Sequence, residues 1–261
     1  MNISLKGKKA LVGGSSRGIG KAIAKQLAKS GASVTLMARS ADTMKTIIEG
    51  LPTVDGQKHQ FLSVDFSDFE GYKKIISTYF ETNSVDILVN NTQGPAGGGA
   101  LEKSVTDYQN AFDVLFKSVV FTTELALKHM QKSQWGRIIN VASISVKEPL
   151  NYLALSNSIR AAVATWAKSL SLDVAKEGIT VNNVLTGYFD TERIANLNAQ
   201  KAEKMGVSQA EVRSTMEDQV PVKRIGKPEE YGYLVAFLAS DKAAYINGTN
   251  IPIDGGLLKS L

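Results

Sequence analysis

Five residues within positions 143–160 are suited to work at a carbonyl group. Ser143 follows the apolar run Arg137 to Ala142 (RIINVA), and Lys147, Tyr152, Ser156 and Arg160 come after it. Hydride exchange at a carbonyl carbon needs a donor that polarises the oxygen, a proton source for the developing alkoxide, and a nearby cation. A serine hydroxyl serves the first need, a phenol or an ammonium the second, and a permanently charged guanidinium the third. Tyr152, Ser156 and Arg160 are spaced by four residues, about 6 Å per step along a helix axis, so a helix reaching back to Tyr152 would stack them on one face.

Chemistry of that kind needs a hydride carrier, and the N-terminal part of the chain has the pattern for one. Gly13-Gly14-Ser15-Ser16-Arg17-Gly18-Ile19-Gly20 follows the apolar run Lys9 to Gly13 and opens a segment in which Ile19, Ile23 and Leu27 share a helical face. Glycines there let the backbone approach a pyrophosphate, and the helix start offers free N–H groups to the anion. The next strand, Ser33 to Ala38, ends at Arg39 rather than at an acidic residue. A carboxylate at that point bonds a ribose 2′-hydroxyl, whereas a guanidinium suits a 2′-phosphate. Arg39, with Arg17 as a second cation, therefore points to NADP(H) in preference to NAD(H).

The elements that must position these residues alternate. Further strands are expected at Phe61 to Val64, Ile87 to Val89, Arg137 to Ala142, Ile179 to Leu185 and Asn250 to Ile253. Between them lie helical segments, including a long one from about Val105 to Lys132, another from about Leu153 to Lys176, and a last one over Tyr231 to Ala239. Such alternation implies an α/β fold, a Rossmann-type doubly wound parallel sheet. No repeat or low-complexity linker divides residues 1–261, so a single domain is expected, with the polar stretch from Thr191 to Val220 as an excursion over the site.

Composition excludes several alternatives. The 261 residues are 43% hydrophobic and 21% charged, which is neither disordered nor fibrous. There is no cysteine, hence no disulfide framework, thiolate zinc site or catalytic thiol. The two histidines, His59 and His129, lie on different elements far from Ser143, and no metal site is expected. A net charge of +5 is spread without a basic run, so nucleic acid is not an expected partner. Neither a signal-peptide core near Met1 nor a membrane-length apolar run is present, and a cytoplasmic protein is expected.

The glycine spacing at positions 14, 18 and 20 resembles the short-chain dehydrogenase/reductase family, and the resemblance runs the length of the chain. In the family motif TGxxxGIG the threonine falls at Gly13, while Gly14, Gly18, Ile19 and Gly20 match. The resemblance implies cofactor contacts for Ser16, Arg17, Asp65 and the adjoining Phe66, for Asn91 in Asn90-Asn91-Thr92-Gln93, and for Phe189 and Thr191 after Asn182, Thr186 and Gly187. It also places the family serine at Ser143, the tyrosine at Ser156, the lysine at Arg160 and the helix asparagine at Leu115. Only the serine is kept, although Arg160 can still supply charge and ribose hydrogen bonds.

The segment Ser143 to Pro149, followed by Leu155-Ser-Asn157 and Arg160-Ala-Ala162, is closest to a divergent branch similar to bacterial 3-oxoacyl-carrier-protein reductases. This implies an NADP(H)-dependent oxidoreductase acting on a small-molecule ketone or alcohol, with Ser143 as oxyanion donor and Tyr152 or Lys147 delivering the proton. A cofactor-binding subunit that has lost chemistry accounts for the same residues. A lyase similar to the halohydrin dehalogenases would carry arginine at position 160 but would lack the glycine turn. The family implies a dimer or tetramer, with Phe112 to Phe121 and Ala161 to Leu172 offering apolar faces.

Overall fold

The computed structural model describes residues 2–260. Its elements run β1 (Lys9–Gly13), α1 (Gly18–Lys29), β2 (Ser33–Ala38), α2 (Ala41–Glu49), β3 (Gln60–Ser63), α3 (Phe69–Thr82), β4 (Ile87–Asn90), α4 (Val105–Phe112), α5 (Ser118–Ser133), β5 (Gly136–Ser143), α6 (Ala154–Val174), β6 (Ile179–Thr186), α7 (Glu192–Met205), α8 (Gln209–Gln219), α9 (Pro228–Leu238) and β7 (Asn250–Ile253). The seven strands are all parallel, in the order β3-β2-β1-β4-β5-β6-β7. Parallel neighbours need crossover helices, and these cover both faces, as the alternating sequence implied.

One face buries Ile23, Leu27, Met44, Tyr231 and Val235 from α1, α2 and α9 against Val12, Leu36 and Val89. The opposite face buries Tyr72, Ile76, Met130 and Ala167 from α3, α5 and α6 against Leu11, Leu88 and Ile138. On the second face four asparagines stand in register across β4, β5, β6 and β7. Asn90 donates to Asn140 at 2.9 Å, Asn140 to Asn183 at 2.8 Å and Asn183 to Asn250 at 2.8 Å. Each amide thus satisfies the next inside the fold. This ladder ties β4, β5, β6 and β7 together across the sheet, and Asn91, Ser143 and Gly187 lie beyond it at the carboxyl edge.

The strand order reverses between β1 and β4, so the chain leaves these two strands in opposite directions and opens a crevice at their carboxyl ends. Side chains cap the starts of five helices: Ser40 on α2, Asp68 on α3, Ser104 on α4, Thr191 on α7 and Ser208 on α8. The starts of α1, α5, α6 and α9 have no such cap, and among them α1 opens directly from the glycine turn. Its N-cap, Arg17, gives no side-chain cap and its first turn carries no acidic residue, which leaves its leading N–H groups and positive dipole end for an anion.

Three expectations need correction. The third strand begins one residue earlier than expected, at Gln60, and ends at Ser63. The long helix is interrupted: α4 and α5 are joined by a π-helical turn, Asp113–Lys117, which contains Leu115. Helix α6 begins only at Ala154, with Leu153 as N-cap. Tyr152 therefore lies in the preceding loop and does not share a helical face with Ser156. Among the described residues no helix is long and apolar enough to cross a membrane.

Candidate active site

The glycine turn is shaped by contact with Asn91. A Cβ on Gly13 would overlap the carbonyl oxygen of Asn91 and lie 3.2 Å from its main-chain nitrogen and carbonyl carbon. Gly14 adopts φ +54°, and a Cβ there would stand 2.8 Å from the Asn91 Nδ2. The Asn91 amide donates to the carbonyl oxygens of Gly13 at 3.0 Å and Gly14 at 3.4 Å. The threonine of the family motif has no room at position 13, because the chain after β4 has closed onto the turn. Ser15, fully buried, staples the other side: its hydroxyl donates to Val12 O at 2.9 Å and accepts from Met37 N at 3.0 Å.

Ser16 and Ile19 are half-buried around the turn, and Ile19 reaches the main cavity. Thr191 sits over Gly18, which adopts φ +52°. Arg39 is exposed at the end of β2, close enough to Asp65 to help hold its carboxyl below the usual range, after the hydroxyl and N–H of Ser67. Phe66 joins Met37, Val89 and Val119 around a small apolar hollow beside Gly13 and Asn91. The uncapped start of α1, the glycines with no space for a side chain, the hollow and the two guanidiniums fit a dinucleotide with a phosphorylated ribose. Arg17, however, is paired with Glu192 of α7 at 2.8 Å across the groove.

Beyond the turn lies a cavity of about 930 Å³, lined by residues that include Ser143, Tyr152, Ser156, Arg160, Tyr188, Phe189 and Thr191. Ser143 ends β5 and caps the following short turn, its Oγ accepting from Ser145 N at 3.1 Å. Ser156 and Arg160 project from consecutive turns of α6. The Arg160 guanidinium donates to the carbonyl of Val141. Burial pushes it down to about 10, with Arg193 lowering it further and the Tyr231 hydroxyl opposing; it is charged at neutral pH. Tyr231 is fully buried beneath it, donating to Val184 O at 3.1 Å and sharing a hydrogen bond with Thr186 at 3.1 Å.

Tyr152 is carried by the glycine-rich loop. Gly98 N donates to Tyr152 O at 2.7 Å and Ala154 N to Gly98 O at 3.0 Å. Burial raises its phenol above the ordinary value, and the neighbouring Tyr188 hydroxyl adds to the rise. Lys147 is half-buried in the turn after Ser143 but does not line the cavity. Of the two candidate proton donors, only Tyr152 faces the site. Leu115 is buried with Ala111, Leu155 and Ile159, a dry cluster behind Ser156.

A family profile described as enoyl-(acyl carrier protein) reductase matches residues 14–258. The chain belongs to the short-chain dehydrogenase/reductase family. The 3-oxoacyl-[acyl-carrier-protein] reductase FabG of Aquifex aeolicus is 31% identical, the match covering 98% of this chain and 100% of the relative. The NADPH-dependent reductase BacG of Bacillus subtilis is also 31% identical, over 97% and 98% of the two chains. The crystal structure of L-sorbose reductase from Gluconobacter frateurii, complexed with NADPH and L-sorbose, superimposes with a TM-score of 0.93 at 30% identity and full coverage of both chains.

Within this reductase fold, sequence reasoning missed four residues at the site. Ser15 was hidden because its hydroxyl works through main-chain groups. Tyr188 follows Gly187 and was legible only as a neighbour of the recognised segment. Glu192 and Arg193 open α7, and Arg193 reaches across to the carbonyls of Gly94 and Pro95, both at 3.3 Å. The apolar residues of the covering segment do not share one environment. Met205 and Met216 line the cavity, Val212 is buried, and Val207 is exposed.

Proposed function

We propose that the chain is an NADP(H)-dependent oxidoreductase that exchanges hydride with a ketone or alcohol in the cavity beside Ser143, with NADP(H) preferred over NAD(H). The observation that carries this reading is that Ile19 of the glycine turn, Asn91 that pins the turn, and Ser143 line one cavity, with Thr191 against Gly18. Gly14, Ser16, Arg17, Gly18, Ile19 and Gly20 hold the diphosphate, Arg39 the 2′-phosphate, Asp65, Phe66 and Asn91 the adenosine side, and Phe189, Thr191 and Arg160 the nicotinamide side. Bound in reduced form, the coenzyme supplies the hydride.

Ser143 donates to the carbonyl oxygen, and Arg160 gives the positive potential that favours the oxyanion. Ser156 leaves open the space that a phenol would fill and offers a second hydroxyl. Tyr152 delivers the proton; its raised phenol stays protonated throughout the neutral range. We also read the chain as a cytoplasmic homo-oligomer in which Phe112, stacked on Phe116 at 5.0 Å, and the exposed Leu172 are covered by a second copy.

The test is NADPH oxidation against a panel of ketones and 3-oxoacyl thioesters. Ser143→Ala is expected to lower kcat/KM by about 10²–10³, the usual cost of one oxyanion donor, and Tyr152→Phe to lower kcat with the NADPH Kd unchanged. The competing reading, a coenzyme-binding subunit without catalysis, rests on the sealed Leu115 and on Ser156. Tight NADPH binding with no turnover on any member of the panel would establish it instead.

A further inference from the structure

Helix α7 lies along the cavity, and Arg193, Leu197, Lys201 and Lys204 recur on it every three or four residues, all of them lining the wall. With Arg160 the cavity wall carries four cations. Against them stands one carboxylate, Glu102, whose oxygen already accepts the N–H of Gly99 at 3.0 Å. Among the described residues none of the four cations is in a salt bridge, whereas Arg17, Arg213 and Arg224 are all paired. Three of the four, Arg193, Lys201 and Lys204, are exposed, and an excess of positive charge along a cleft concentrates anions there.

The coenzyme does not account for all of it. Arg193 lies within a turn of Thr191, over the phosphate cradle, and Arg160 is at the reacting end. Lys201 and Lys204 are ten and thirteen residues beyond Thr191, about 15 Å and 20 Å along the helix axis from the diphosphate turn. The 2′-phosphate position at Arg39 is on β2, on the far side of the glycine turn from this cavity. Leu150, Leu197, Met205 and Met216 supply apolar wall to the same cavity.

We infer that the substrate is an amphiphilic anion: an apolar body ending in a carboxylate or phosphate that Lys201 and Lys204 hold at the lid end of the cavity. This rests on the reductase reading and names the substrate class of the same site. The test is titration calorimetry on the full chain saturated with NADP⁺, using octanoate, octyl phosphate and octanol as probes.

At least one anionic probe is expected to bind about fivefold to tenfold tighter than octanol, the size set by two solvent-accessible charge pairs. Lys201→Met combined with Lys204→Met should remove that margin while the Kd for NADP⁺ stays the same. The tighter of the two anions identifies the headgroup. Equal binding of octanol and both anions overturns the inference, as does a double variant that keeps the margin. A parallel loss of NADP⁺ affinity overturns it too, by assigning the lysines to the coenzyme. Turnover of ketones by the unmodified chain without anion selectivity refutes the inference alone, while anion-selective binding without turnover refutes only the reductase reading.

Discussion

Replacing Gly13 with threonine, the residue the family motif carries at that position, is expected to damage this protein. The added Cβ would run into the Asn91 carbonyl oxygen and come within 3.2 Å of two further main-chain atoms, where carbon contacts settle at about 3.5–4.0 Å. The obstacle is backbone, so no rotamer change relieves it. The segment after β4 must retreat, and Asn91 then loses its bonds to Gly13 O and Gly14 O. Overpacking costs about 1–3 kcal/mol and each neutral hydrogen bond about 0.5–1.5 kcal/mol, so a destabilisation of roughly 2–6 kcal/mol is expected. For a chain of this size that lowers Tm by roughly 5–20 °C. Because the same turn presents the amides of the cradle, NADPH affinity should also fall by about tenfold or more, equivalent to about 1.4 kcal/mol. Thermal unfolding followed by intrinsic fluorescence, together with a titration read by NADPH fluorescence, measures both effects. Gly13→Ala should move both in the same direction. A threonine variant with unchanged Tm and NADPH Kd would refute the reasoning, since it would mean that Asn91 does not pin the turn.

Arg39→Ala should reduce the preference for NADPH over NADH by about 10- to 100-fold, the worth of one charge-assisted hydrogen bond to a phosphate, in paired kcat/KM measurements with the two coenzymes. Glu192→Gln should tighten NADPH binding by about twofold to fivefold, because Glu192 competes with the coenzyme for the exposed Arg17; calorimetry reads this directly. The Glu230 carboxyl is held down to about 2, first by the two bonds from Arg224 at 2.7 and 2.8 Å and then by the N–H of Lys227. Unfolded, it titrates near 4.5, so its contribution is complete above that value and is lost as pH falls through about 2. Glu230→Gln should therefore lower Tm by about 2–5 °C at pH 7, and the difference from the unsubstituted protein should close between pH 4.5 and 2.

The sheet, the glycine turn and the place of Arg39 after β2 were legible because they depend on local signals. Apolar runs of strand length, glycines whose positive φ or lack of a side chain is a backbone requirement, and an arginine at the end of β2 keep their meaning wherever the chain goes. The reacting end was less legible. The distance from Tyr152 to Ser156 in sequence does not say that α6 starts two residues after Tyr152, because helix propensity at Leu153 and Ala154 competes with the pairing of this segment to Gly98. Lys147 looked equivalent to Tyr152 because both follow Ser143 closely, and only the tertiary path turns one toward the cavity. The interrupted helix around Leu115 follows from tertiary packing against α6, which its continuous helical periodicity does not report.

The departures from the family pattern fit one physical arrangement when taken together. Leu115 is 2% exposed and packs on Leu155 and Ile159, which places an apolar cluster where α6 meets the turn between α4 and α5. An asparagine at 115 would bring a polar group there and need partners; a leucine removes both the group and the need. Under the proposed chemistry the proton enters from the open mouth of the cavity. Tyr152 stands there at 48% exposure, its hydroxyl beside that of Tyr188. Arg160 cannot shuttle protons at neutral pH, since it stays charged, but it can hold a fixed positive potential over the reacting oxygen; the carbonyl of Val141 and the hydroxyl of Tyr231 steady it without neutralising it. Thr186 shares a hydrogen bond of 3.1 Å with the Tyr231 hydroxyl and so helps fix it beneath Arg160. Under the proposed chemistry the positions that diverge separate two tasks that a tyrosine and lysine on one helix face would share: electrostatic stabilisation at α6, and proton supply from the loop that precedes it.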